Sequence, residues 1–243
     1  EISIHVVTLP LREESIGKLL NEVANESGNY TEASYDEHGK RFIPIVRPLE
    51  LGTEKIDESR KLLTSDDVLI VTGGAKGITA ECVLALARQT SVKLALLGTS
   101  DAEADSEVKS NLERFRVSGI NYEYYSVDVT NTEAVRAIVE KVTEKLGKIT
   151  AILHAAAKNE PKLISLSDES KLRKTIAVKL DGAKNLTAAI PAEQLKLFVT
   201  FGSIIARTGL AGESDYGLAN ELLSQFTEEF QSANPNCRCV AFE

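Results

Sequence analysis

From residue 68 to the end of the chain, short apolar runs rich in β-branched residues alternate with longer stretches whose apolar positions recur every three or four residues. The first pattern is that of buried strands, the second that of amphipathic helices. Strands are predicted over 68–72, 92–97, 122–127, 149–154, 195–201 and 237–242, and helices over about 77–90, 105–118, 131–146, 168–190 and 214–233. Asn131 is placed to cap the third helix and Gly147 to close it. Strands joined in this way by helical crossovers make an α/β fold, a doubly wound parallel sheet of Rossmann type. Right-handed crossovers give it the strand order 3-2-1-4-5-6.

Residues 1–65 do not keep that rhythm. They predict a strand over 2–8, a helix over 12–26, and strands near 30–35 and 41–46 that flank Asp36-Glu37-His38-Gly39. That tetrapeptide reads as a hairpin turn in which Gly39 takes a positive φ. The polar segment 52–67 then leads into the sheet, and the domain boundary is expected there, with residues 1–65 a smaller unit and 66–243 the larger one.

Composition narrows the field. Lys and Arg number 28 against 36 Asp and Glu, a net charge of −8, which argues against nucleic acid and anionic membranes as partners. No apolar run approaches the ~20 residues of a membrane span, so a soluble, cytoplasmic protein is expected. Cys82, Cys237 and Cys239 cannot form a paired framework and lack a third metal ligand nearby; they are read as reduced, buried packing residues. The chain has no Met, even at position 1, and is expected to be a piece of a longer one.

Two constellations carry chemistry. In the first, strand 68–72 runs through Thr72-Gly73-Gly74-Ala75-Lys76-Gly77-Ile78 into a helix. Glycines there let backbone approach a pyrophosphate, while the helix N-terminus offers unpaired N–H groups. The second strand ends in Leu97-Gly98-Thr99, with no carboxylate for a ribose 2′-hydroxyl; Lys76 is available to a 2′-phosphate, and Asp101 lies close by. Asp128, past the third strand, is placed either to accept from an adenine edge or to cap a helix. In the second constellation Ser203 follows the fifth strand at the sheet's carboxyl edge, and Tyr216 and Asn220 lie four apart on one helix face. His154, ending the fourth strand, is read as a structural histidine.

These residues resemble the short-chain dehydrogenase/reductase superfamily, and within it the ketoreductase domains of modular polyketide synthases. The superfamily carries a lysine four after the tyrosine, where this chain has Asn220. Polyketide ketoreductases take that lysine from an earlier helix, in a context matched by Lys179-Leu-Asp-Gly-Ala-Lys-Asn-Leu186. Leu153-His-Ala-Ala-Ala157, Asn159-Glu-Pro-Lys-Leu163 and Phe201-Gly-Ser-Ile-Ile-Ala-Arg-Thr-Gly209 match as well, so the resemblance covers about 66–243. Thr79 replaces the last loop glycine, Ala157 a common glycine, and Thr99 an arginine often found after the second strand. Residues 1–65 are similar to the distal part of the cofactor-free structural subdomain that precedes such catalytic halves. Such domains carry a further Trp-rich segment and a substrate lid beyond the position of Glu243.

The resemblance implies a β-ketoacyl reductase that passes hydride from NADPH to the β-keto group of a thioester on an acyl carrier protein, giving a β-hydroxyacyl thioester. Ser203 and Tyr216 would hydrogen-bond the carbonyl oxygen, Tyr216 would donate the proton, Lys179 would favour its phenolate, and Asn220 would hold Lys179 or a water. Val129, Ala155 and Ala156 would join the loop residues, Thr99 and Asp128 around the cofactor. Neighbouring synthase domains and an acidic carrier are the implied partners, with Arg207 and Lys162 as candidates for a basic docking patch. The alternatives are a catalytically silent scaffold domain and a freestanding short-chain reductase.

Overall fold

The computed structural model describes residues 4–24, 30–45, 47 and 62–243. Most of the polar segment expected to hold the domain boundary lies outside them. The chain divides into two compact units, Glu1–Ile56 and Asp57–Glu243.

In the first unit β1 (Ile4–Thr8) runs through α1 (Ser15–Ala24) to a parallel partner, β2 (Tyr30–Tyr35), which turns back into antiparallel β3 (Arg41–Phe42). The turn is as expected: Gly39 sits at φ +78, and Asp36 Oδ1 accepts from the amides of His38 and Lys40, each at 2.9 Å. β3 is shorter than predicted because Pro44 has no N–H to give a ladder. Glu22 of α1 is buried and receives Arg41 at 2.6 and 2.9 Å together with the Tyr35 hydroxyl. The Arg41 guanidinium, with help from Tyr35, holds its carboxyl down to about 2.

The second unit is a six-stranded parallel sheet with the strand order expected from the sequence: β6 (Tyr122–Ser126), β5 (Lys93–Gly98), β4 (Val68–Thr72), β7 (Ile149–His154), β8 (Leu197–Phe201), β9 (Arg238–Phe242). Alternate residues of each strand serve opposite faces. Val68 and Ile70 pack with Val135, Val139, Leu186 and Leu223, beneath α4 (Thr132–Leu146), α6 (Gly182–Ala189) and α8 (Ser214–Ala233). Leu69 and Val71 pack with Ala80, Val83, Leu84 and Phe115, beneath α2 (Gly77–Thr90) and α3 (Ser106–Val117). Asn131 caps α4 through the amide of Ala134 at 3.0 Å, and Gly147 ends it at φ +108.

Four expectations need correction. The helix predicted over 168–190 is α5 (Glu169–Ile176), one π turn (Ala177–Asp181) and α6. A four-residue helix, α7 (Ile205–Thr208), was not predicted. β8 begins at Leu197, because Leu195 closes a 3-10 turn onto Ala192 and Lys196 N–H donates to Thr150 O at 2.8 Å. Cys82 is exposed rather than packed, since the buried face of α2 is Thr79, Ala80, Val83, Leu84 and Ala87; Cys237 is buried, and all three thiols are free. Among the described residues no helix is long and apolar enough to cross a membrane, and no group of three His, Cys, Asp or Glu gathers that could hold a metal.

Candidate active site

The parallel sheet points the carboxyl ends of β4, β7 and β8 at one edge, and both constellations meet there. After β4 the chain turns at Gly73 (φ +69), whose N–H donates to Leu97 O at 2.8 Å, and again at Gly77 (φ +55), the first residue of α2. A Cβ on Gly73 would lie 3.3 Å from Ala155 O, and one on Gly74 would strike Val71 Cγ1 at 2.6 Å. Gly74 therefore serves packing, while Gly77 needs its glycine for its dihedral alone, with open space around it. Lys76 provides no side-chain cap for α2, Gly77 and Ile78 are exposed, and α2 presents its positive end at the loop. Those features fit a phosphate. Asn111 of α3, which sequence reasoning missed, pins the loop by donating from Nδ2 to Ala75 O at 3.0 Å.

Thr72, expected beside a cofactor, works inside the protein. Its hydroxyl oxygen accepts from the amides of Ala155 and Ala156, each at 3.0 Å, so its hydrogen goes to His154 Nδ1 at 2.9 Å. That fixes the imidazole as the Nε2–H tautomer, and Nε2 donates to Lys179 O at 2.9 Å. Burial, aided by the Lys179 charge, pushes His154 down to about 4, consistent with a neutral ring. The histidine is structural, as expected, and what it holds is the π turn of Lys179. Gly182, at the end of that turn, admits the ring: a Cβ there would meet His154 Cε1 at 3.0 Å and Val129 Cγ2 at 2.8 Å. Val129 is buried, with its carbonyl accepting from Asn185 Nδ2 at 2.9 Å. Asp128 is exposed and folds one oxygen onto Thr130, at 2.9 Å from N and 2.8 Å from Oγ1. Thr99 is exposed past the end of β5.

The π turn carries Lys179 into the sheet edge. Its side chain is 2 % exposed, its ammonium donates to Phe201 O, and it lies 5.7 Å from the centroid of the Tyr216 ring. Burial pushes it down to about 8. π turns of this kind recur at functional sites. Asn220 Nδ2 donates to Tyr216 O at 2.7 Å, while Asn220 Oδ1 is buried without a hydrogen-bond partner among the described residues. Ser203, two residues past Phe201, accepts from Ile205 N–H at 3.3 Å, which leaves its hydroxyl hydrogen free of protein acceptors among the described residues. Tyr216 is half-buried, and its hydroxyl likewise has no hydrogen-bond partner there. The Lys179 ammonium thus faces the Tyr216 ring, Asn220 lies one helical turn from Tyr216 and bonds its backbone carbonyl, and Ser203 follows the strand whose carbonyl takes the ammonium.

Arg207, expected in a basic patch, is instead neutralised by Glu221 at 2.7 Å and Glu243 at 3.0 Å. Lys162 joins Lys158, Lys171 and Lys174 around a cavity of about 160 Å³ that also reaches Thr175 and Asp215. Glu160 takes Lys158 and Lys171, at 3.0 and 3.4 Å.

Residues 68–243 match the family model described as KR domain. Polyketide synthase PksN of Bacillus subtilis is 27% identical over 208 residues, 84% of this chain but 4% of its own length. The chain spans only a small part of that synthase and of its polyketide synthase relatives PksL and ThaG, 5% and 3% of their lengths. The fold is similar to that of an N-terminal ketoreductase from a macrolactin assembly line, with TM-score 0.75, 23% identity, 99% of this chain covered and 47% of that one. It is also similar to an NAD+-bound xylitol dehydrogenase, with TM-score 0.66, 23% identity, and 75% and 70% covered.

Proposed function

The chain belongs to the KR-domain family of oxidoreductases, whose short-chain dehydrogenase/reductase fold works with a nicotinamide cofactor, and from that premise we propose that it is an NADPH-dependent β-ketoacyl reductase acting on a thioester carried by an acyl carrier protein within a polyketide synthase. The observation that supports this most strongly is the buried Lys179 ammonium 5.7 Å from the Tyr216 ring. An ordinary helix lysine is solvated.

NADPH, when bound, supplies the hydride. Gly73, Ala75, Lys76, Gly77 and Ile78 would hold its phosphates, with Thr99, Asp128, Val129, Ala155 and Ala156 around the remainder and Thr72 supporting the loop from below. Ser203 and Tyr216 offer two hydroxyl hydrogens, unclaimed among the described residues, to the substrate carbonyl oxygen, polarising it and stabilising the charge it gains. Tyr216 passes its proton to that oxygen as general acid. Lys179 stabilises the negative charge left on the tyrosine oxygen. Asn220 Oδ1, buried and unpartnered among the described residues, is an acceptor for the ammonium or for a water that returns the proton.

NADPH is favoured over NADH because β5 ends without a carboxylate and Lys76 stands in the loop. The lysine-lined cavity beside Asp215, rather than Arg207, is the docking patch for an acidic carrier, and neighbouring synthase domains deliver it. The likeness of fold over 99% of the chain supports reading residues 1–65 as the distal part of a structural subdomain, followed by the catalytic domain 66–243. Calorimetric titration tests the cofactor: NADPH should bind at least ten times more tightly than NADH, and Lys76→Ala should erase most of the difference. Equal dissociation constants in the unaltered chain would contradict it.

A further inference from the structure

Asp105 and Glu107, at the start of α3, turn their carboxylates onto the glycine loop. Asp105 pairs with the Lys76 ammonium, and Glu107 Oε1 accepts from the Gly77 N–H at 3.0 Å. These are the loop's single side-chain cation and the first amide of α2, the two kinds of group that a nucleotide phosphate would engage there. Asp105 has a second task through its other oxygen, which caps α3 at the amides of Glu107 and Val108, 3.1 and 3.2 Å away. The Glu107 carboxylate accepts no other hydrogen bond among the described residues. Both contacts lie near solvent, with the Lys76 side chain 43% and that of Asp105 24% exposed. Ion pairs so placed are weak and exchange readily.

We infer that Asp105 and Glu107 are internal competitors for the cofactor's phosphates, so that binding exchanges a carboxylate for a phosphate oxygen at each contact. The inference rests on the nicotinamide reading above and adds to it two residues that tune affinity and selectivity. Their effects differ because their partners differ. Glu107 covers a backbone amide that any dinucleotide would use, and it weakens NADH and NADPH alike. Asp105 holds the lysine assigned to the 2′-phosphate, and it weakens NADPH alone. Glu107 thus sets the general affinity and Asp105 the ratio.

The test is calorimetric titration of NADH and NADPH into the full chain and into Glu107→Ala, Glu107→Gln, Asp105→Asn and Asp105→Asn/Lys76→Ala, with a thermal melt for each. Asn is as good a helix cap as Asp, so Asp105→Asn keeps α3 intact. Glu107→Ala should tighten both cofactors about three- to tenfold, with Glu107→Gln in the same direction. Asp105→Asn should tighten NADPH by a similar factor and leave NADH within about twofold, and the added Lys76→Ala should abolish that gain. Unchanged or weakened binding in well-folded variants overturns the inference. A gain equal for both cofactors in Asp105→Asn overturns the division of roles. Should the unaltered chain and every variant bind neither dinucleotide, the nicotinamide reading itself fails and takes the inference with it. Binding by the unaltered chain with silent variants isolates failure of the inference alone.

Discussion

Thr72, His154 and Lys179 form a chain in which each hydrogen bond fixes the next. The two amides on Thr72 leave its hydroxyl only one direction to donate, that donation leaves the imidazole Nδ1 unprotonated, and the remaining N–H holds the Lys179 carbonyl. Protonating His154 breaks the Thr72 bond. Its native value of about 4 lies below the ~6.5 of a free histidine, so the unfolded chain binds the extra proton first and native stability falls as pH drops from ~6.5 towards about 4. Thermal melts across that window should show a steeper loss in the unaltered chain than in His154→Gln. Lys179 has the same sign in another window. Held near 8 against ~10.4 when unfolded, its buried charge costs stability below pH 8 and releases that cost as pH rises to ~10.4. Relative to Lys179→Met, the unaltered chain should therefore gain stability between pH 8 and 10. A flat difference would mean that the ammonium is solvated.

At the scale of elements, the two edges of the sheet do different work. The carboxyl edge carries the groups proposed to react. At the amino edge Asp67 is buried against β4, accepting from Thr150 Oγ1 and Lys196 Nζ at 2.7 Å each and from Thr64 N–H at 2.9 Å. Asp67→Ala leaves those donors unpaired and should cost about 1–3 kcal/mol in denaturant unfolding without lowering kcat. A fall in kcat with stability intact would show that the edges are coupled. The order of strands and helices and the glycine loop were legible in the sequence, because β-branched runs, helical periodicity and glycine spacing are local signals, and the sheet order then followed from the right-handedness of the crossovers. The Lys179 context was legible only through family resemblance. The π turn was not legible, since it depends on Gly182 meeting the His154 ring, two groups far apart in the chain. For the same reason Asn111 and Glu107 escaped notice: each looks like an ordinary polar residue of α3 until the loop is laid against it. The neutralisation of Arg207 by Glu221 and Glu243 was hidden likewise.

For the whole molecule, cofactor binding and folding are linked. A ligand at a hundred times its dissociation constant adds about 2.7 kcal/mol to the folded state, which for a domain of this size is a rise in melting temperature of about 5–10 °C. At equal concentration NADPH should raise it further than NADH, and the reverse order would place the adenosine contacts elsewhere. On the proposed reading, the net charge of −8 gives an acidic carrier no general attraction, so its docking would have to come from a local patch. Reversing Lys162 and Lys174 to Glu should lower kcat/KM for a carrier-bound substrate at low salt while sparing a small thioester. Equal rates on both substrates would remove that cavity from the docking surface. The central claim is that Lys179 and Tyr216 form one proton-donating unit for ketone reduction. Its most direct measurement is the rate of NADPH oxidation with a small β-keto thioester, in the unaltered chain and in Lys179→Ala. The expected result is turnover in the first and a fall in kcat of ~10²-fold or more in the second, and near-normal turnover in Lys179→Ala, or none in the unaltered chain, would contradict it.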